Sequence, residues 1–133
     1  MRYLLDTNVL DDLAKQPDGS ARRRLAALDP SVVCTSIIVV AEVRYGLAKR
    51  PSVKLEAALA AVLATIDILA FDEPADRSYG VIRAELERAG TPIGANDLII
   101  AAQAVARDLI VVTDNEREFR RVPGLAVENW LRA

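Results

Sequence analysis

Four acidic positions, spread over almost the whole chain, adjoin apolar runs: Asp6, Glu42, Asp97, and the 114–118 stretch with Asp114 and Glu118. Asp6 ends Tyr3-Leu4-Leu5-Asp6, and Glu42 follows Ile37-Ile38-Val39-Val40-Ala41. Asp97 heads Leu98-Ile99-Ile100-Ala101-Ala102, and Asp114 and Asn115 follow Leu109-Ile110-Val111-Val112-Thr113. A carboxylate beside buried structure needs something to offset its desolvation, and a divalent cation is the usual remedy. A metal-dependent active site is therefore the first hypothesis. The chain has no histidine, which removes Ser-His-Asp and Cys-His nucleophile systems, the imidazole general base and zinc sites that rely on it. Any catalysis must run on carboxylates, hydroxyls, Lys, Arg and a hard cation bound through oxygen, which points to Mg²⁺ or Mn²⁺. An ion held that way polarises a phosphodiester and lowers the pKa of an attacking water.

Each acid also has a purely structural reading. Asp6 before Thr7 and Asn8 fits an N-cap or Asx-turn. Glu42 fits a surface residue paired with Arg44 or Lys49, and Asp97 fits a first-turn acid facing the helix dipole. Asp114 and Asn115 fit turn formers after a strand. Their common placement is what favours a shared site.

The elements that must position these residues alternate between short branched runs and longer helical ones, the pattern of an α/β sandwich around a parallel sheet. Strands are expected over residues 2–5, 32–35, 66–71 and 109–113, with a last edge strand over 126–129. Helices are expected over 8–15, 21–28, from Ser36 to Lys49, over 53–64, from the Asp72-Glu73-Pro74 start to Ala89, over 96–107, and over 116–120. Gln16-Pro17-Asp18-Gly19, Arg50-Pro51 and Gly90-Thr91-Pro92 are the breakers between them. The helix over 96–107 is apolar nearly all round, so burial on more than one side is expected. In an open parallel sheet, ligands bind beyond the carboxyl ends of the strands, where Asp6 and the Asp114-Asn115 pair fall. Gly94 before Asp97 allows close backbone approach. Ile38, Glu42 and Gly46 share one helix face, expected to look inward and aim Glu42 at the same sheet edge.

With 133 residues, 52% hydrophobic and 27% charged, the chain fits one domain with a real core. A net charge of −2 carries no global signal for nucleic acid or membrane. Asp6 interrupts the first apolar run too early for a signal peptide, and no uncharged stretch is long enough to span a bilayer, so a cytoplasmic location is expected. Cys34, the single cysteine, is expected in the core, and Trp130 is expected to cap it. Arg22-Arg23-Arg24 reads first as a solvated face and second as a phosphate contact. The weakly charged 53–69 stretch reads first as a packing helix, second as a groove for a partner helix or a second copy.

Four motifs in order resemble the PIN-domain ribonucleases of the VapC toxin type, from bacterial toxin–antitoxin pairs. They are Leu4-Leu5-Asp6-Thr7-Asn8-Val9-Leu10, Ala41-Glu42-Val43-Arg44-Tyr45-Gly46, Gly94-Ala95-Asn96-Asp97-Leu98-Ile99-Ile100-Ala101-Ala102 and Val112-Thr113-Asp114-Asn115-Glu116-Arg117-Glu118-Phe119. Pro123-Gly124-Leu125 and Asn129-Trp130 also fit, so the likeness runs from end to end. It implies a PIN-like three-layer α/β/α sandwich with a mainly parallel sheet of four to five strands. It places Asp6, Glu42 and Asp97 at the family's metal-binding acidic positions. The fourth position falls in a Thr-x-Asn/Asp motif, where this chain has Asn115. An amide carries no charge, so Asn115 would orient a water or ligate weakly, with Asp114 or Glu118 adding the missing charge. Thr7, Asn8 and Thr113 would support these residues. The implied activity is Mg²⁺-dependent endonucleolytic cleavage of tRNA, rRNA or mRNA, leaving a 5′-phosphate and a 3′-hydroxyl, with Mn²⁺ as a possible substitute. The implied partners are a small VapB-type antitoxin protein and a second copy in a homodimer.

Three rivals share parts of this pattern. A phospho-acceptor receiver domain needs a Lys after its last core strand, and no Lys occurs beyond Lys54. A haloacid-dehalogenase-type phosphatase needs a second Asp two residues after the first, where this chain has Asn8. A catalytically inactive PIN-like module that binds RNA or protein keeps the fold without the fourth charge.

Overall fold

Side-chain caps and breakers cut the chain where the sequence predicts. In the computed structural model, which describes residues 2–132, β1 (Arg2–Leu5) ends at Asp6, whose carboxylate accepts from the Thr7 N–H and starts α1 (Thr7–Lys15). After α2 (Ser20–Ala26) and a short 3-10 turn comes β2 (Val33–Ser36). Ser36 caps α3 (Ile37–Lys49) through the Ile38 N–H, and Ser52 caps α4 (Val53–Leu63) through the Leu55 N–H. Then follow β3 (Asp67–Leu69), α5 (Ala75–Arg88), α6 (Ala95–Arg107), β4 (Leu109–Val112), α7 (Glu116–Phe119) and β5 (Val127–Glu128). Asp108 takes a left-handed conformation (φ 54°) that stops α6 and turns the chain into β4.

The five strands pair in parallel in the order β3-β2-β1-β4-β5. All four residues of β4, and Leu4 and Leu5 of β1, are buried, as expected for central strands of a parallel sheet covered on both faces. On the helical layers α1 packs on α3 and α4, and α5 packs on α6. Of α6, Leu98 and the whole 100–104 stretch are buried, in agreement with its all-round apolarity.

Strand β3 is shorter than the 66–71 run suggests. Ile66 is buried ahead of it, and the carbonyls of Leu69 and Ala70 accept from the Gln103 side chain of α6 (3.4 and 3.1 Å), which draws the chain out of the ladder. Cys34 is fully buried, and burial pushes its thiol up to about 11, so it is an inert core residue.

The arginine triplet is occupied locally. Arg22 donates to the Leu13 carbonyl (2.8 Å) and Arg23 to that of Asp18 (2.7 Å). Arg24 pairs with Glu128 (3.1 Å) and lies over the Trp130 ring, 5.5 Å from its centroid. Trp130 is fully buried and tilts against Tyr3, so it closes the core. Arg24→Ala is expected to lower stability by about 1 kcal/mol, combining a half-exposed ion pair with a cation–π contact. A urea melt checks this, and an unchanged midpoint would contradict it.

No helix among the described residues is long and apolar enough to cross a membrane.

Candidate active site

Strands β1 and β4 are neighbours in the sheet but far apart in the chain, so the strand order reverses between them. That switch point is where an open α/β sheet leaves a crevice. Asp6 leaves β1 there, and Thr113, Asp114 and Asn115 leave β4. The Asp6 N–H donates to the Val112 carbonyl (2.9 Å), which fixes the two strand ends side by side.

Asp6 is almost fully buried, and hydroxyls and amides surround its carboxylate. One oxygen accepts from the Thr7 N–H (2.8 Å) and the other from the Thr113 hydroxyl (2.8 Å), with the Asn8 amide at 3.5 Å. Burial nevertheless raises the Asp6 pKa, opposed by those hydrogen bonds and reinforced by repulsion from Glu42. The Thr113 hydroxyl, fully buried, also accepts from the Asn115 N–H (2.9 Å), and Asn8 accepts from the Asp114 N–H (2.9 Å). The Thr7 hydroxyl donates to Glu42 (2.9 Å) across from α3. Thr7, Asn8 and Thr113 thus tie together three of the four segments that carry acids, all but α6 with Asp97.

Asp97 lies in the first turn of α6, half-buried. Asn115 donates through one amide nitrogen to Asp97 (3.1 Å) and to Glu118 (2.7 Å). Burial raises the Asp97 pKa to about 7, with further contributions from Asp6, a hydrogen-bonded Glu118 and Glu42. Glu118 moves the other way: the Asn115 amide and the Gly94 N–H hold it below the usual range. Of this pair, Asp97 is therefore the one that takes up a proton as pH falls through about 7. The Gly94 N–H donates to Glu118 at 2.5 Å, and a Cβ on Gly94 would lie 3.5 Å from Glu118 Oε1 and 3.7 Å from Asp97 Oδ2. Glycine leaves the space beside this pair open.

Two expectations change. The face bearing Ile38, Glu42 and Gly46 does not look into the core. Val39, Val40 and Val43 form the buried face of α3, while Ile38 and Glu42 are half-buried and Gly46 is exposed. Glu42 instead stands on the wall of the crevice, held by Thr7. Asp114 is exposed, and its carboxylate accepts from Asn129 Nδ2 (3.0 Å) on the far side of the turn. Of the three residues considered for the fourth position, Asn115 and Glu118 meet Asp97 and Asp114 does not.

The donor set suits a hard cation. Asp6, Glu42, Asp97 and Glu118 supply only oxygen, and none of them joins an ion pair among the described residues. Burial is the main reason that Asp97 binds a proton more readily, and repulsion from Asp6, Glu118 and Glu42 adds to it. Among the described residues no three acidic side chains are already gathered at one point that could hold an ion. Loading an ion therefore requires Asp97 to lose its proton and side chains to rotate.

Buried polar residues supply a signal that apolar periodicity does not. Apart from Asp6, those fully buried are Thr35, Ser36, Gln103 and Thr113. Gln103 donates to the Leu69 and Ala70 carbonyls and accepts from the Ser36 hydroxyl, so it links α6, which carries Asp97, to the cap of α3, which carries Glu42. A lone Gln inside Ala101-Ala102-Gln103-Ala104-Val105 was the available sequence cue.

Comparison with known proteins gives a consistent result. The chain is 40% identical over 133 residues to the tRNA(fMet)-specific endonuclease VapC of Salmonella typhimurium, covering 98% of each. Among solved structures, VapBC2 from Rickettsia felis bound to a DNA fragment from its promoter matches with a TM-score of 0.90 and 34% identity, over 98% of this chain and 99% of that one. DNA-bound VapBC from Salmonella typhimurium matches with a TM-score of 0.84 and 38% identity, over 98% of both chains. The PIN domain family matches residues 3–125, and the chain belongs to that family.

Proposed function

We propose that this chain is a toxin-type endoribonuclease, hydrolysing RNA phosphodiester bonds with a divalent cation and restrained by a small VapB-type antitoxin protein. The observation that carries this reading is the meeting of Asp6, Asp97, Asn115 and Glu118 at the β1/β4 switch point, with Glu42 on the adjoining wall. Asp6, Glu42 and Asp97 would hold the ion, Mg²⁺ first and Mn²⁺ as a substitute. Glu118 takes the fourth acidic role in preference to Asp114, because Asn115 and Gly94 orient it toward Asp97. The cation supplies charge neutralisation, polarisation of the phosphodiester and a more acidic water.

The chain's own residues do the rest. Asn115 keeps Asp97 and Glu118 together and presents its amide to whatever enters between them. Thr113 and Thr7 orient Asp6 and Glu42 by hydrogen bonds. Without histidine, protons must pass through carboxyls and water. The antitoxin partner is supported by the VapBC complexes that this fold matches, and a homodimer is carried over from the family resemblance.

The test is incubation of purified protein with a mixed tRNA and rRNA pool, with Mg²⁺ or with EDTA, for wild type and Asp6→Asn. One relative is named for tRNA(fMet), so cuts are expected first in tRNA. EDTA and Asp6→Asn are each expected to abolish cleavage, and Mn²⁺ is expected to restore it after chelation. Equal cutting by Asp6→Asn would overturn the site. No cutting by wild type would leave the inactive binding module as the reading.

A further inference from the structure

Beside the carboxylate crevice, at the same end of α6, lies a second concavity of about 230 Å³ that the reaction described above does not use. Its walls come from α5 (Tyr79, Arg83, Leu86, Glu87), from Pro92 and Ile93 of the following loop, and from Ala95 and Leu98 of α6. Ala95 and Leu98 flank Asn96 and Asp97, so the cavity and the crevice share the first turn of one helix. The loop between them is anchored on both sides. The Gly94 N–H donates to Glu118 (2.5 Å), and Arg121 donates to the Pro92 carbonyl (2.8 Å). The cavity is therefore preformed rather than dependent on a loop closing.

The chemistry of its wall is specific. The Arg83 guanidinium lies over the Tyr79 ring at 6.0 Å from the centroid and donates to the Tyr79 hydroxyl (3.0 Å), while Tyr79 packs edge-on against Phe71. Glu87 holds Arg83 from the next turn (3.4 Å). An aromatic ring and a guanidinium plane fixed together form a stacking platform for a planar group that carries negative charge on one side. An unpaired nucleotide of single-stranded RNA is such a group. Leu86, Ile93 and Leu98 supply apolar depth, and Glu87 can only accept, which matches a base edge bearing an exocyclic amino group.

We infer that the cavity walled by Tyr79, Arg83 and Glu87 is a subsite for one unstacked base next to the scissile phosphodiester, and that it sets which sequences are cut. This rests on the ribonuclease reading and adds the residues that choose the substrate. Tyr79 and Arg83 would hold the base and its phosphate, and Glu87 would disfavour uracil, whose single edge donor, N3–H, is flanked by two carbonyl oxygens.

The test maps the 5′ ends of fragments from a tRNA pool cut by wild type, Tyr79→Leu, Tyr79→Phe and Glu87→Ala. Wild type is expected to disfavour uracil at one position beside the cut. Tyr79→Leu should lower kcat/KM about tenfold, the effect of losing one base stack, and flatten that preference. Tyr79→Phe keeps the ring and should keep the preference, whereas Glu87→Ala should admit uracil. A Tyr79→Leu cut distribution that superimposes on wild type overturns the subsite while leaving the ribonuclease intact. So does a Phe variant as impaired as the Leu variant, or a Leu variant whose only change is loss of a dimer by light scattering. A wild type that cuts nothing overturns both readings.

Discussion

Asp97→Asn is expected to abolish RNA cleavage and, at the same time, to make the metal-free protein more stable above pH 7. The two effects have one cause. Asp97 sits half-buried among Asp6, Glu118 and Glu42, which raises its pKa from an ordinary 3.8 to about 7. A carboxyl whose folded pKa lies above its unfolded value holds its proton in the folded chain after the unfolded chain has lost it. Stability therefore falls as pH rises from about 4 to about 7, and the full loss applies above that. The amide of the variant has no such titration. Because Asp97 is half-exposed, solvent screening reduces the expected gain at pH 8 to about 1–2 kcal/mol. Glu118, lowered by Asn115 and Gly94, acts in the opposite direction. Its contribution is lost only as pH falls below its ordinary 4.5, below the pH 5 to 8 range over which variant and wild type are compared.

Catalysis responds in the other direction, since the charge that destabilises the empty site is the charge a cation needs. Losing one carboxylate of the proposed metal site would remove several kcal/mol of transition-state stabilisation, so kcat is expected to drop on the order of 10³-fold or more. Divalent-cation affinity of the wild type should likewise weaken about tenfold per pH unit below 7, as the ion competes with one proton. Thermal melts in EDTA at pH 5 and pH 8, beside single-turnover cleavage, check the whole account. It fails if the melting difference between variant and wild type does not grow from pH 5 to pH 8, or if the variant still cuts.

Gln103→Leu is expected to lower stability by roughly 2–4 kcal/mol, a large loss for a change that keeps side-chain volume. Gln103 is fully buried, and its amide serves the Leu69 and Ala70 carbonyls while its oxygen accepts from Ser36. Leucine would leave these groups facing an apolar side chain without water. Because the contacts join α6 to the cap of α3, cleavage should fall as well, through displacement of Asp97 relative to Glu42. Equilibrium urea unfolding measures the first effect. A loss under about 1 kcal/mol would mean that the buried groups find other partners.

Much of the scaffold was legible because each boundary has a local cause. Asp6, Ser36 and Ser52 cap helices with their own side chains, and Gln16-Pro17-Asp18-Gly19 and Gly90-Thr91-Pro92 interrupt them. These effects act over a few residues and survive any tertiary arrangement. The true length of β3, the direction of the Glu42 face and the choice between Asp114 and Glu118 depend on partners distant in the chain. Gln103 shortens β3 from 34 positions away. Thr7 meets Glu42 across 35 positions. Asp114 turns to Asn129, while Gly94 reaches Glu118 across 24. Residue spacing carries no information on which of two neighbouring carboxylates will find such a partner. The resemblance to PIN-domain ribonucleases confines the fourth position to one motif, within which Asn115 meets both Asp97 and Glu118 while Asp114 turns to Asn129.

The sheet order has a consequence for the timing of synthesis. β1 is the first strand to leave the ribosome, yet its neighbour β4 comes last of the central strands, and the Thr113 hydroxyl that binds Asp6 lies 107 positions downstream. At roughly 5–20 residues per second, that separation is about 5–20 s of translation. During that interval β1, β2 and β3 can pair, but no crevice exists, because its second wall has not been made. A nascent chain of this topology is thus harmless to the RNA around it, including the ribosome and the tRNAs that are building it. The hazard arises in a single late step, when β4 slides in beside β1.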